Sequence, residues 1–176
     1  MSILSVFQCS SPQLPYKVLT HHDDIVATLA EHGVRFAHQS LPWSIRPGNA
    51  QQQISDEAGE WIDGLMAEHG ATSWTLLDCK EELPDAGGWR EEHVHDALEV
   101  FAVMAGRAQV SLRVGDQVFA VLCERGDILH VPAEIRRWID LGDRPFCLAL
   151  RLTGNGQPAK FTGDNLCREL PGMAEL

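Results

Sequence analysis

The chain has 176 residues, 44% of them hydrophobic and 22% charged, enough for one domain with a real core. Its net charge of -11, from 25 acidic against 14 basic residues, leaves no basic cluster beyond Arg136 and Arg137 and argues against nucleic acid as a partner. No apolar run reaches the ~20 residues of a membrane helix, and the N-terminus MSILSVFQCSSP lacks the features of a secretory signal, so no membrane and a cytoplasmic address are expected.

Residues 1–70 read as a helical layer. THHDDIVATLAEHG has Thr20 as a cap, acidic residues in the first turn, apolar Ile25, Val26 and Leu29, and Gly33 as a stop. LPWSIRPGN, with Pro42, Pro47 and Gly48, is a loop. SDEAGEWIDGLMAEHG repeats the helical pattern: Ser55 caps, Trp61, Ile62, Leu65 and Met66 form one face, and Gly70 ends it. From residue 71 to 165 the character changes. SWTLLDC, LEVFAVMAG, AQVSLRVGD, QVFAVLCERG, DILHVP, RRWIDLG and PFCLALRL follow at short intervals, bounded by Gly, Asp or Pro. Val114-Gly115-Asp116-Gln117 predicts a tight hairpin, and the seven runs predict a jelly-roll type β-barrel of antiparallel strands. Residues 166–176 form a tail. The five cysteines (Cys9, Cys79, Cys123, Cys147 and Cys167) are scattered, form no CxxC, and read as reduced thiols.

The chemistry concentrates in GGWREEHVHDALEVFAVMAG. On a strand His93 and His95 point to one face, and Glu99 has the same parity. Two imidazoles and a carboxylate on one inner face are the donor set of a 2-His-1-carboxylate metal centre, which leaves positions open for substrate and dioxygen.

The frame adds specificity. Gly87, five residues, His93, one, His95, three, Glu99, six and Gly106 match the first motif of the cupin superfamily, and Gly126-Asp127 with Val131-Pro132-Ala133 resemble the second. That resemblance implies a mainly β chain with N-terminal helices, folded as a double-stranded β-barrel. DDIVATLAEHGVRF, LMAEHG, EEHVH, VFAVLCERGDILHVPAEIRRWIDLG, LALRL and FTGD, in that order, make the chain similar to the acireductone dioxygenase family of methionine salvage. The resemblance implies one Fe(II) or Ni(II) per chain, with a small enediol or keto substrate and O2 as partners. In that family Fe(II) enzyme gives formate and a keto acid, while Ni(II) enzyme gives carbon monoxide and other acids. Carried over by residue, His93, His95 and Glu99 are three of the family's four ligands.

The fourth ligand, a histidine in a family stretch similar to PAGTRHWFDMG, falls on Arg137 in PAEIRRWIDLG. A guanidinium stays protonated and has no lone pair to give a metal. The family's arginine two residues after the glutamate is Phe101 here, and two of its phenylalanines are Trp89 and Ile139. With Trp138 and His130 these make up the expected pocket. Glu92, retained from the family pattern, and Arg137 are the candidate catalytic residues. His130 shares a face with Ile128; facing inward it lines the pocket or supplies a fourth ligand, and facing outward it is a core histidine with a backbone partner. Arg137 or Arg90 is the candidate partner for developing enediolate charge. Two readings follow: a metal-dependent oxidoreductase with a changed substrate, or a silent paralogue, metal-free with Arg137 paired to Glu99, acting as a binding module.

Overall fold

Period-two alternation after Gly70 becomes a set of long antiparallel strands. The computed structural model describes residues 1–48, 50–82, 89–154, 156–173 and 175; Gly87, the first glycine of the histidine motif, lies outside them. The strands are β1 (Ile3–Gln8), β2 (Lys17–Leu19), β3 (Arg35–His38), β4 (Ser73–Lys80), β5 (His93–Val94), β6 (Glu99–Val114), β7 (Gln117–Glu124), β8 (Asp127–Val131), β9 (Arg136–Asp140), β10 (Phe146–Thr153) and β11 (Lys160–Phe161). The helices are α1 (His22–Ala30), α2 (Gln51–Glu57) and α3 (Gly59–His69).

Two expected strands, LEVFAVMAG and AQVSLRVGD, are one. Gly106 does not break β6 but bends it, at φ +69°. The first half pairs with β10 and β8, the second with β7 and β9. One ladder therefore runs β11-β5-β9-β6-β7-β1-β2 and another runs β4-β10-β6-β8-β3, joined through β6. Among the described residues β2, β3, β4 and β11 are open edges, so backbone pairing does not close the expected barrel. The predicted hairpin forms as read, with Val114 opposite Gln117 and Gly115 at φ +61°.

The N-terminal layer is less helical than its sequence suggests, because β1 and β2 extend the sheet beside β7 and β3 pairs with β8. Thr20 does not cap α1; the cap position is His21, without a side-chain bond. Ser55 lies inside α2, its hydroxyl donating back to the Gln51 carbonyl at 3.1 Å. Gly70 ends α3 in the left-handed conformation, as the sequence predicts.

Strand parity then sorts the core. Phe101, Val103, Leu129 and Val131 face the interior shared with Leu112, Phe119 and Ile139. Val100, Ala102, Met104 and Ile128 face the other way, onto Ile54, Ile62 and Leu65 of the helices. Among the described residues no helix is long and apolar enough to cross a membrane, and all five cysteines are free.

The bend at Gly106 is a steric requirement: a Cβ there would lie 1.8 Å from the Phe146 carbonyl oxygen. Gly106→Ala is expected to cost at least about 2 kcal/mol, read by chemical denaturation. Gly115→Ala, in open space at the hairpin, keeps only the backbone strain and costs less.

Candidate active site

Short strand β5 pairs with both β9 and β11, placing His93 opposite Arg137 and Phe161. Glu99 opens β6, opposite Val131 on one side and Thr153 on the other. His93, His95 and Glu99 are all buried and converge, the two imidazole centroids 5.5 Å apart and His95 Nε2 3.1 Å from Glu99 Oε2. His93 Nδ1 donates to the Glu91 carbonyl at 2.8 Å, which leaves Nε2 as a lone pair. That nitrogen is buried and has no hydrogen-bond partner. Burial lowers the His93 pKa to about 4, against the opposing bond to Glu91, so the ring is neutral at pH 7.

Arg137 points inward. It is 0% exposed, and its Nη1 donates to Glu99 Oε1 at 3.3 Å. Nη2 donates to the Pro132 carbonyl and Nε to the Ile135 carbonyl, both at 2.9 Å. The other Glu99 oxygen is held by Arg151, from Nε at 3.0 Å and from Nη2 as well. Arg151 also reaches His95 Nε2 at 3.2 Å and stacks on Trp89, 4.0 Å from the ring centroid. Burial alone would raise the Glu99 pKa, but Arg151, His95 and Arg137 outweigh it and hold the carboxyl well below the usual range.

As arranged, these residues do not fit a dication. Both oxygens of the Glu99 carboxylate accept from guanidiniums. A dication about 4 Å from either guanidinium would be repelled by ~8 kcal/mol at an effective dielectric of 20. Consistent with this, no group of three His, Cys, Asp or Glu among the described residues is disposed to hold an ion.

Trp89, Phe101 and Ile139 lie on the same inner side, packed with the interior core. Three other expectations are corrected, those for Glu92, Trp138 and Arg90, and of the two alternatives for His130 the outward one holds. Glu92 alternates away from His93, and its buried carboxylate is bound by Arg113 (3.1 Å), Arg136 (3.3 Å) and Thr162 (2.7 Å). It pins the C-terminal segment to β9. Trp138 alternates away from Arg137, packing with Phe7 and Val118 and lining an outer cavity of about 550 Å³ that also takes Arg90. Arg90 therefore does not supply charge to the centre, and Arg151 does. His130 pairs opposite Val100, on the helix side of β8. There its Nε2 lies 3.0 Å from His69 Nε2, and its Nδ1 3.4 Å from the Arg35 carbonyl. It contributes nothing to the ligand cluster.

The missed residue, Arg151, had a signal. In CLALRLT it is the one charge on a strand that is otherwise apolar on both faces, and a charge so placed requires a buried partner.

Glu99→Gln leaves two guanidiniums without their shared carboxylate, and chemical denaturation at pH 7 is expected to show a loss of about 3–5 kcal/mol. Burial lowers His130 to about 4, helped by His69. His130 and His93 therefore bind fewer protons folded than unfolded between pH ~6.5 and ~4. Stability should fall as pH drops through that window, and His130→Phe should flatten the slope. An unchanged slope would contradict the burial of a neutral ring.

A sequence profile described as the ARD/ARD' family matches residues 84–157. An acireductone dioxygenase of Pseudomonas fluorescens strain Pf-5 is 42% identical over 98% of this chain and 99% of its own length. One from Pseudomonas syringae pv. tomato is 40% identical over 99% and 100%. In architecture the chain is similar to a Bacillus anthracis acireductone dioxygenase, solved with a cadmium ion in its active center, at a TM-score of 0.72 and 19% identity, covering 90% of this chain and 95% of that one. With four-tenths identity sustained end to end, the chain belongs to the acireductone dioxygenase family of oxygen-using enzymes.

Proposed function

We propose that the protein is an oxidoreductase that joins a small enediol or keto substrate to O2, in a pocket rewritten from the family's. The full-length relationship supports the reaction class. Two sheets sharing β6 support reading the fold as the double-stranded barrel of cupins, and five free cysteines support the cytoplasm as its place.

The observation that carries the reading is the pair of guanidiniums on one buried carboxylate beside two imidazoles. Arg137 and Arg151 bring two positive charges to Glu99; Glu134 acts on Arg137 as well, so an anion meets positive charge chiefly at Arg151. An enediol becomes an electron donor to O2 once ionised. The lone pair at His93 Nε2 can take the enediol proton, and the Arg151 charge holds the enediolate in a poorly solvated site. Trp89, Phe101 and Ile139 give this pocket apolar walls, which favours a different side chain on the substrate from the family's. Fe(II) or Ni(II), the family's expected cofactor at His93, His95 and Glu99, has no part in these steps.

A second reading rests on the saturation of Glu99. With every oxygen bonded and Arg137 locked at three points, the same centre serves as a binding module for a small anion, without turnover.

Oxygen consumption with a simple reductone separates the two. The enzyme reading expects protein-dependent uptake that persists with a chelator and falls at least about tenfold in His93→Ala. No uptake, together with a rise in melting temperature on adding the reductone, would favour the binding module.

A further inference from the structure

We infer that Arg137, standing where the family places its fourth ligand, keeps the family's divalent ion out of this centre. The inference rests on the reading of His93, His95 and Glu99 as the family's ligand positions, and it concerns the lone pairs those residues have left.

A metal needs donated lone pairs, and the two guanidiniums point N–H groups at the atoms that carry them. Glu99 Oε1 accepts from Arg137, and Oε2 accepts from Arg151. His95 Nε2 is engaged in either tautomer: protonated it donates to Glu99 Oε2 at 3.1 Å, unprotonated it accepts from Arg151 at 3.2 Å. Of the three side chains only His93 presents a donor atom, Nε2, that no N–H group faces. One donor does not make a site for Fe(II) or Ni(II).

The backbone is shaped to this arrangement. The turn between β8 and β9 aims two carbonyls, Pro132 and Ile135, at the Arg137 guanidinium. Between them Glu134 adopts φ +66°, a conformation that costs a non-glycine residue of order 1–3 kcal/mol. Its N–H is bonded to the His95 carbonyl at 2.8 Å, tying the turn to the histidine segment. Two carbonyl dipoles facing inward suit a guanidinium and offer an imidazole much less. The Arg137 guanidinium keeps positive charge at the position of the fourth ligand, so the centre keeps an attraction for an anion and loses the open coordination sites.

The test uses tag-free protein titrated with Ni(II), desalted, and measured by elemental mass spectrometry and thermal melting. Wild type is expected to retain far less than one ion per chain and to show no rise in melting temperature. Arg137→His should retain about one, with affinity at least about tenfold above wild type and a higher melting temperature in the presence of the ion. Arg137→Gln, which removes the charge without adding a ligand, should bind more weakly than Arg137→His but above wild type. Wild type that retains a stoichiometric ion overturns the inference, whether or not the variants fold. So does the failure of both variants to bind when circular dichroism shows them folded. Adding His93→Ala to Arg137→His should abolish retention. An ion that survives this change shows that the ligand assignment itself is wrong, and the inference falls with it.

Discussion

Glu99 is a carboxylate 2% exposed that is shared by two arginines, and most of the centre follows from it. A single buried carboxylate cannot be left alone, and a single buried guanidinium cannot either. Three groups bonded together, with the surplus N–H donors spent on two backbone carbonyls and one imidazole, satisfy each other. The arrangement fixes where β9 sits against the start of β6, because Arg137 and Glu99 come from those strands. It also brings two guanidiniums onto one carboxylate, beside the neutral ring of His93.

The site exists because β6 serves two sheets. Its bend at Gly106 lets the strand carry Glu99 and Phe101 on one wall and Leu112 on another, so that β9 and β10 approach from different sides. Arg137 arrives on β9 and Arg151 on β10. A second buried carboxylate, Glu92, works on the opposite face of the same motif. By binding Arg113, Arg136 and Thr162 it anchors the C-terminal segment over the outside of β9. Adjacent residues thus have opposite duties, Glu92 holding the shell together and His93 facing the chemistry.

How much of this could be read beforehand depended on whether parity alone decided the matter. His93, His95 and Glu99 share parity, and the sequence placed them together correctly. Arg137 was marked because a guanidinium stands where a lone pair is required. Parity separated His130 from Leu129, but it does not say which side of a strand holds the helices, and His130 proved to face α3. Glu92 is a candidate through the family pattern and Trp138 through its place beside the fourth-ligand position, although the two-residue period puts each on the far side from its neighbour. Arg151 went unnoticed inside an apolar run because its partner lies far away in sequence. The short strands β2 and β3, of three and four residues, are too brief to show a period, and the helical patterns beside them dominated.

The most direct test of the account is a crystal structure of the wild-type protein grown with excess Ni(II), with diffraction collected at the nickel edge. The account predicts no anomalous peak between His93, His95 and Glu99, and continuous density joining Arg137 to the Glu99 carboxylate. A peak at that position, with Arg137 turned away from Glu99, would contradict it and return the centre to the family's metal chemistry.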